Sequence, residues 1–445
     1  MSIVCFSYSP NSYRASTLTC DEQAKGLLYD PASQVTNILH QLTATSATIN
    51  QAAYAYNPVG NRTQLTDRRG AQAFGYDALD RLTSASHPLL ATTQAFAYDP
   101  VGNRTTGGTV VNAGNQLTAD ANYSYQYGDN GNLTRKTLLA TGNYSQYTYD
   151  AENRLTKVEE FAAGNPTPAA TSTYRYDGLG RRVEKVANGQ TKRYVYDGED
   201  ILLEYDGANV LQARYTHGPG IDEPIAVTKG SNTFFYHQDG LGTVTDLTDS
   251  SGATAKSYSY DAYGTIVDQT GTVDQPYTYT GRELDSETGL YYYRARYYDS
   301  MIGRFLQKDP MGFLGKDVNL YRYARNNITN RTDLTGLGPI SFTVCTLLNA
   351  GKQFDDLRRD LNLLDESTSL TREMLARVDA EISACPRQDV ERLVELKNIR
   401  DRLGLQLDQL LKNRVADVTK LGLYQVAEGL VWEGVCGLAL ALPIP

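Results

Sequence analysis

Two aspartates in the second half of the chain repeat one local frame and together could hydrolyse a peptide bond. Asp309 opens the run DPMGF and Asp333 opens the run DLTGL, so each aspartate is followed by a glycine and then an apolar residue. Two carboxylates held close together cannot both ionise cheaply, so one keeps a proton while the other deprotonates a water. The pair therefore offers a general acid and a general base made from one residue type.

The same two frames are also typical of tight turns. Aspartate accepts backbone hydrogen bonds from the residues that follow it, and glycine enters the left-handed region, so D-P-x-G and D-x-T-G favour turns without any chemistry. Spacing alone favours this turn interpretation. A catalytic pair requires the chain to leave Asp309 and return to it, and we expect residues 319 to 323 to form the returning strand.

A tyrosine-containing motif recurs before this stretch, roughly 20 to 30 residues apart. Each copy contains a period-2 strand such as Tyr174-Arg175-Tyr176 and then an Asp-x-x-Gly turn, which predicts stacked hairpins. A packing residue is needed in every layer whereas a catalytic residue is needed once, so we interpret these tyrosines as structural. The copies begin at Tyr56, Tyr76, Tyr98, Tyr127, Tyr149, Tyr176 and Tyr196.

Composition separates a β part from a helical part. The chain has 33 Tyr and 38 Gly, an excess typical of turn-rich β proteins, and Tyr424 is the single tyrosine after residue 337. Beyond residue 337, apolar residues recur every three to four positions between Phe354 and Val415, which predicts helices. The apolar run 421–442 contains Glu428 and Glu433, which favours a bundle helix over a membrane-spanning one.

Charge and cysteine spacing exclude several functions. The net charge of −9 disfavours nucleic-acid binding by the β part, and the five cysteines have no metal-ligand spacing, so we expect neither a metal nor a cofactor. His237 and Asp239 lie at one strand end, where capping a turn is the commoner role. The first residues lack a basic segment followed by an apolar one, so we expect no Sec export.

Residues 281–337 resemble the core of the RHS-repeat (YD-repeat) family, whose bacterial members are β shells that enclose a C-terminal toxin and release it by self-cleavage. The resemblance rests on the runs GRE from Gly281, GLYY from Gly289, RARYYD from Arg294, GRF from Gly303, DP at Asp309, NLY from Asn319 and DLTGL from Asp333. The family usually has proline after its second aspartate, and Leu334 takes that place here.

The resemblance implies a mainly β fold, a hairpin shell in a curved or spiralling sheet, followed by a small all-α C-terminal region. With the composition, it predicts five segments. These are an irregular N-terminal β segment at 1–53, the repeat shell at 54–198, its β extension at 199–288, the core at 289–337 and the helical effector region at 338–445.

The resemblance also assigns residues to self-cleavage. Asp309 and Asp333 match the family's aspartic dyad, and the bond between Leu337 and Gly338 matches its cut site. We further expect Arg304 to hold a carboxylate, Gly336 to let the backbone approach the dyad and Leu337 to fill an apolar socket.

A toxin carrier would have its own C-terminal region as cargo, an immunity protein, and a secretion apparatus or a shell-closing partner. We expect synthesis in the bacterial cytoplasm and delivery by a non-classical route such as type VI secretion. The alternative is a non-enzymatic surface or adhesion protein whose repeats bind glycans or protein partners. A second alternative is an incomplete or orphan shell that does not cleave itself.

Overall fold

The computed structural model describes residues 5–8, 15–19, 23–218, 220–315, 317–338 and 340–341. They belong to one compact unit, Met1–Thr346. The helices predicted within 338–445 and the apolar run 421–442 lie outside the described residues. Within the described ranges, no helix is long and apolar enough to cross a membrane.

The first sheet is antiparallel and its nine strands follow one another in chain order. Residues 23–53, where the sequence shows no firm period, form strands as long as those of the repeats. Its strands are β1 (Cys5–Tyr8), β2 (Ala15–Thr19), β3 (Gln23–Tyr29), β4 (Val35–Leu42), β5 (Thr48–Tyr56), β6 (Arg62–Asp67), β7 (Gly70–Tyr76), β8 (Leu82–Ala85) and β9 (Gln94–Ala95).

The second sheet has 16 antiparallel strands, again in chain order. They are β10 (Val110–Val111), β11 (Leu117–Ala119), β12 (Tyr123–Tyr127), β13 (Leu133–Leu138), β14 (Tyr144–Tyr149), β15 (Leu155–Phe161), β16 (Ala170–Tyr176), β17 (Arg182–Ala187), β18 (Gln190–Asp197), β19 (Asp200–Asp206), β20 (Leu211–His217), β21 (Pro224–Lys229), β22 (Asn232–Gln238), β23 (Val244–Thr248), β24 (Thr254–Tyr260) and β25 (Ile266–Gly271). The mainly β hairpin architecture predicted from the repeats is confirmed.

Two small sheets and three short 3-10 turns follow. One sheet contains β26 (Glu283–Asp285), β27 (Leu290–Tyr293), β28 (Arg296–Asp299) and β29 (Arg304–Phe305), and the other contains β30 (Arg331–Thr332) and β31 (Ile340–Ser341). The 3-10 turns are Tyr279–Gly281, Gly312–Gly315 and Ala324–Asn326.

The repeat aspartates close the hairpin turns with their carboxylates. Asp177 Oδ1 accepts the backbone N–H groups of Leu179 and Arg181, both at 2.9 Å, and Gly180 completes the turn at φ 82°. The turn at Asp150 is built in the same way. The structural interpretation of these aspartates therefore matches their observed contacts.

The repeat tyrosines join each hairpin to the one before it. The Tyr149 hydroxyl donates to the carbonyl of Leu133, a fully buried residue at the start of β13, at 2.7 Å. His217 stands in the equivalent place on β20 and its ring nitrogen donates to the carbonyl of Ile201 at 2.9 Å. The other pairs are Tyr56 with Val35, Tyr76 with Arg62, Tyr98 with Leu82, Tyr176 with Leu155, Tyr196 with Arg182 and Tyr260 with Val244.

The two large sheets meet where the predicted hairpin at Tyr98 is broken. Its turn forms, but Tyr98 makes just an isolated bridge to Arg104. The Tyr98 hydroxyl also contacts the hydroxyl of Tyr263 at 2.8 Å, and the guanidinium of Arg104 lies over the Tyr263 ring. Further along this seam, Asn50 of β5 donates to Asp246 of β23 at 2.6 Å.

The sheet of β26 to β29 is buried on both faces. Alternate residues of β27 and β28 point into two different cores. One core contains Tyr291, Tyr293, Tyr298 and Phe305 against Leu82 of the first sheet, and the other contains Leu290, Tyr292, Tyr297 and Leu306 against strands β11 to β16 of the second sheet. This layer is therefore fixed from both sides.

We expect Tyr149→Phe to lower the free energy of unfolding by about 1–2 kcal/mol, because it leaves a buried carbonyl without its donor. Urea unfolding followed by fluorescence would measure the change. The matched control is Tyr144→Phe on the same strand, whose ring stacks on Phe161 and whose hydroxyl has no hydrogen bond to any described residue. Equal losses in both variants would contradict the structural role of the Tyr149 hydroxyl.

Candidate functional site

The turn of the β27–β28 hairpin supplies two arginines to the candidate site. Tyr293 pairs with Arg296 across the hairpin, and Arg294 lies between them at φ 53°. Since all residues of both strands are buried, the turn projects from a rigid layer. Its position is therefore set by the double-faced core and not by solvent-exposed loops.

Arg296 brings the two aspartates together. Its Nη2 atom lies 3.3 Å from Asp309 Oδ2 and 3.0 Å from Asp333 Oδ2. The two carboxylates can therefore be no farther apart than those two distances combined. All three side chains are buried, with relative exposures of 2% for Arg296, 8% for Asp309 and 1% for Asp333.

Asp309 uses its two oxygens differently. Oδ1 accepts the backbone N–H of Met311 at 2.8 Å, which is the turn contact that its local frame predicts, and Oδ2 faces Arg296. The backbone N–H of Asp309 donates to the carbonyl of Leu320 at 2.9 Å. The turn therefore uses Oδ1 of Asp309, and Oδ2 has no part in it.

Asp333 lies against the bond between Leu337 and Gly338. The backbone N–H of Gly338 is 3.2 Å from both Oδ1 and Oδ2 of Asp333, and that of Leu337 is 3.2 Å from Oδ1. The peptide nitrogen that would leave on hydrolysis at this bond is thus in direct contact with one member of the carboxylate pair.

The surroundings shift the pKa values of both aspartates upward. Burial raises the pKa of Asp333 to about 6, and the charge of Asp309 adds to the rise, while Arg296 and the N–H groups of Gly338 and Gly336 oppose it. Burial also raises the pKa of Asp309, against the opposing effect of Arg296. Asp333 is therefore a carboxyl that can be protonated near neutral pH.

The hairpin turn holds three consecutive carbonyls just before the candidate scissile bond. Arg294 Nη1 donates to the carbonyl of Leu334, the N–H of Ala295 donates to that of Thr335 at 3.2 Å, and Arg296 Nε donates to that of Gly336. We name residues 334–336 the clamped segment. Because the contact to Leu334 uses its backbone, leucine in place of proline preserves it.

Gly336 is required by close backbone approach. It has φ 71°, and a Cβ there would lie 2.3 Å from the carbonyl oxygen of Tyr293. The sequence predicted such an approach toward the dyad, whereas the structure shows it toward the hairpin that carries Arg296.

Three sequence expectations about the site are wrong. Arg304 pairs with Asp299, at the end of β28 opposite Arg296, and donates to Asn103 at 3.0 Å and to the carbonyl of Asn115 instead of to the dyad. Leu337 is 36% exposed instead of filling an apolar socket, because the backbone and not the side chain holds this segment. Residues 319–323 make an isolated bridge, Arg304 with Arg322, instead of a strand.

Sequence reasoning missed Arg296. It lies in the run RARYYD, where Arg294 is in the two-residue turn of a hairpin and Arg296 directly follows that turn. A pair of arginines beside a run of buried tyrosines was the signal that could have identified it.

Asp239 caps a turn as predicted, since its Oδ1 accepts the backbone N–H groups of Leu241 at 2.7 Å and Thr243 at 2.9 Å. His237 does not cap this turn: it is 2% exposed, contacts Thr248 of β23 at 2.7 Å, and burial lowers its pKa to about 3.

Metal-assisted hydrolysis has no evident site in the described part of the chain. No group of three or more His, Cys, Asp or Glu residues there is close enough to hold a metal ion. A cavity of about 580 Å³ is lined by Lys185, Lys192 and Lys256, and it includes neither Asp309 nor Asp333.

The chain is similar to known proteins over most of its β part. The family described as Teneurin YD-shell matches residues 21–329, a range that ends just before Asp333. The tRNA3(Ser)-specific nuclease WapA of Bacillus spizizenii is 38% identical over 245 residues, which cover 53% of this chain and 10% of that protein. The double-stranded DNA deaminase toxin A of Burkholderia cenocepacia is 29% identical over 315 residues, covering 62% of this chain and 21% of that protein.

Solved structures show the same fold. The crystal structure of TcdB2-TccC3 superposes with a TM-score of 0.55 at 19% identity, covering 75% of this chain and 20% of that one. The chain thus spans between about a tenth and a fifth of the length of these similar proteins.

The repeat hairpins, the double-faced core sheet and the match over residues 21–329 lead to one conclusion. The chain belongs to the RHS/YD-repeat family and contains its YD-shell.

Proposed function

We propose that this chain is an RHS-type toxin carrier that cuts its own backbone between Leu337 and Gly338 by aspartic hydrolysis. The observation that carries the proposal is the contact of Asp333 with the N–H of Gly338, while Arg296 holds Asp309 beside Asp333. Two buried carboxylates next to one peptide bond support a general acid and a general base acting on that bond.

The two aspartates have different surroundings, which supports different roles. Asp333 is almost fully buried and its pKa is raised to about 6, so it is the better proton donor. Asp309 is the more exposed of the two, so water reaches it more easily, while Arg296 favours the ionised form of both carboxyls. We assign Asp333 as the general acid and Asp309 as the general base.

In this mechanism a water oxygen attacks the carbonyl carbon of Leu337 while Asp309 takes a proton from that water. Asp333 then gives its proton to the nitrogen of Gly338, and the bond between carbon and nitrogen breaks. The products are a carboxyl group on Leu337 and an amine on Gly338. Asp309 ends protonated and Asp333 ionised, so no cofactor or further reactant is needed.

Preorganisation by the chain replaces substrate binding. The clamped segment is held by three hydrogen bonds from the hairpin turn, so the bond is presented at high effective concentration. One cut per molecule is sufficient for release.

The carrier role is supported by what the similar proteins are. One is named as a tRNA nuclease and another as a DNA deaminase toxin, and they match 53% and 62% of this chain. We infer that residues 338–445 are the cargo, that the producing cell makes a matching immunity protein, and that delivery uses a non-classical secretion route. A secretion apparatus or shell-closing partner and glycans complete the set of proposed contacts.

We expect Asp309→Asn and Asp333→Asn each to slow self-cleavage by at least about 100-fold, because each removes a proton-transfer group while keeping its shape. Intact-mass spectrometry and a denaturing gel would show one full-length chain in place of fragments 1–337 and 338–445.

The matched control is Asp177→Asn, which alters an aspartate that caps a repeat turn with the same kind of backbone contacts. It should cleave like the unaltered chain. If the unaltered chain stays intact, self-cleavage is wrong and an adhesion protein or an orphan shell becomes the better interpretation.

The cleavage rate should pass through a maximum below neutral pH. As pH rises through about 6, Asp333 loses the proton that it must donate, so the rate should fall about tenfold per pH unit. At low pH the rate should fall again, because Asp309, whose pKa is raised above its usual value, becomes protonated. Time courses of pulse-labelled protein in buffers from pH 4 to 8 would measure the profile, and a flat profile would contradict the assigned roles.

Cargo release can be tested on the cleaved protein. We expect fragment 338–445 to co-elute with fragment 1–337 in native size-exclusion chromatography and to separate in denaturant. Fragment 338–445 produced alone in bacteria should arrest growth, whereas the Asp309→Asn full chain should not. If fragment 338–445 arrests growth neither in the bacterial cytoplasm nor in the periplasm, the toxin role is contradicted, whereas the proposal of self-cleavage is unaffected.

A further inference from the structure

Gly338, the first residue after the proposed cut, has a backbone conformation that side chains disfavour. Its φ is 144°, in the range that L-residues rarely adopt. Lack of space does not explain the glycine, because a Cβ there would have its nearest neighbour, the carbonyl oxygen of Gly315, at 3.9 Å. Gly336 differs in this respect, since a Cβ there would clash with the carbonyl oxygen of Tyr293. What requires glycine at position 338 is therefore the direction in which the chain continues.

Two contacts fix that direction. On one side, the backbone N–H of Gly338 lies 3.2 Å from each carboxylate oxygen of Asp333. On the other side, β31 begins two residues later, and its Ile340 pairs with Thr332 of β30, the residue directly before Asp333. The loop from Asp333 to Ile340 is thus closed at its base by a strand pair and crossed inside by a carboxylate. The φ angle of Gly338 is the one at which both contacts are made together.

The other side of the proposed scissile bond depends less on residue type. The side chain of Leu337 is 36% exposed, and the clamped segment is held through its carbonyl groups. A hydrogen bond to a backbone carbonyl can be made whatever the side chain is. Of the two residues that share the bond, Gly338 is therefore the one whose type matters.

We propose that Gly338 is a specificity-determining residue: the bond is cut when the residue on its leaving side can take a positive φ, so the cargo has to begin with glycine. This inference rests on the proposed self-cleavage and assigns its specificity to the leaving side. The chemistry is that of the proposed reaction. Water adds to the carbonyl carbon of Leu337, and the bond to the nitrogen of Gly338 breaks as Asp333 gives that nitrogen its proton.

An alanine at position 338 would break one of the two contacts, because its backbone would relax to a negative φ. The N–H contact to Asp333 is the one that should yield, since 3.2 Å is at the long end of the range for such hydrogen bonds whereas the strand pairing involves two residue pairs. The N–H of Gly338 favours the ionised form of Asp333, so its loss would raise the pKa of Asp333 further. A carboxyl group with a higher pKa keeps its proton to a higher pH, and the alkaline side of the cleavage profile would move upward in pH.

The experiment compares Gly338→Ala with Gly164→Ala in the full-length chain. Gly164 lies in the loop between β15 and β16 and is a matched control, because its φ is 73° and a Cβ there would meet no atom within 4 Å. Each protein is pulse-labelled in a cell-free translation system, transferred to buffers from pH 4 to 8, and followed on denaturing gels. The thermal unfolding midpoint is measured for each in the Asp333→Asn background, where the chain should stay intact.

We expect Gly338→Ala to cleave on the order of 10- to 100-fold more slowly at its best pH, with the alkaline side of its profile moved to higher pH. Its unfolding midpoint should match that of Gly164→Ala, which should cleave like the parent chain. Cleavage of Gly338→Ala at the parent rate would overturn the inference.

A slow Gly338→Ala whose profile keeps its position, with or without a lowered midpoint, would also overturn the inference, because a glycine needed just for folding has no effect on the proton held by Asp333. Failure of the parent chain to cleave would instead overturn the proposed function itself, so the two failures are distinguishable.

Discussion

A guanidinium group buried between two carboxylates determines the geometry of this site. Arg296 is 2% exposed, and a charge so far from water is tolerated when opposite charges surround it. Its partners Asp309 and Asp333 come from separate segments, so these segments must converge on it when the chain folds. With two carboxylates and one cation in the cluster, the state in which one carboxyl is protonated is electrically neutral. Burial raises the pKa of Asp333, with the charge of Asp309 adding to the rise, and burial lowers the pKa of Arg296 although both carboxylates oppose that fall.

The large sheets serve this cluster by fixing one hairpin. Tyrosine hydroxyls join successive repeats, the repeats enclose the sheet of β26 to β29 from both sides, and the turn of β27 and β28 then carries Arg294 and Arg296 to the clamped segment. Many individually weak contacts between successive repeats thus position the three hydrogen bonds that hold the clamped segment. The repeated hairpins form the supporting sheets, and the non-repeated residues 283–338 contain the candidate site.

The sequence predicted the parts that depend on local chemistry. Hairpins follow from alternating tyrosines, and turns follow from aspartate and glycine, so the mainly β fold could be inferred before any coordinates. The convergence of Asp309 and Asp333 was inferred from family resemblance, since spacing alone favoured two ordinary turns. Arg296 and the exposure of Leu337 could not be read from the sequence, because they depend on which face of a buried hairpin meets a segment some forty residues away. Arg304 was expected to hold a carboxylate of the pair, but strand pairing places it beside Asp299, at the opposite end of β28 from Arg296.

The contact between Asp333 and the nitrogen of Gly338 also bears on whether such a cut could heal. Once Asp309 has released its proton to water and the new ends have ionised, hydrolysis would leave an ammonium group beside Asp333 and a new carboxylate at Leu337 on the side of Asp309. Opposite charges would retain the first end, whereas like charges would repel the second, and the exposed Leu337 side chain offers little to hold it in place. The Leu337 end would therefore move away while the Gly338 end stays in place. Electrostatic repulsion would then disfavour re-formation of the peptide bond even before the cargo leaves.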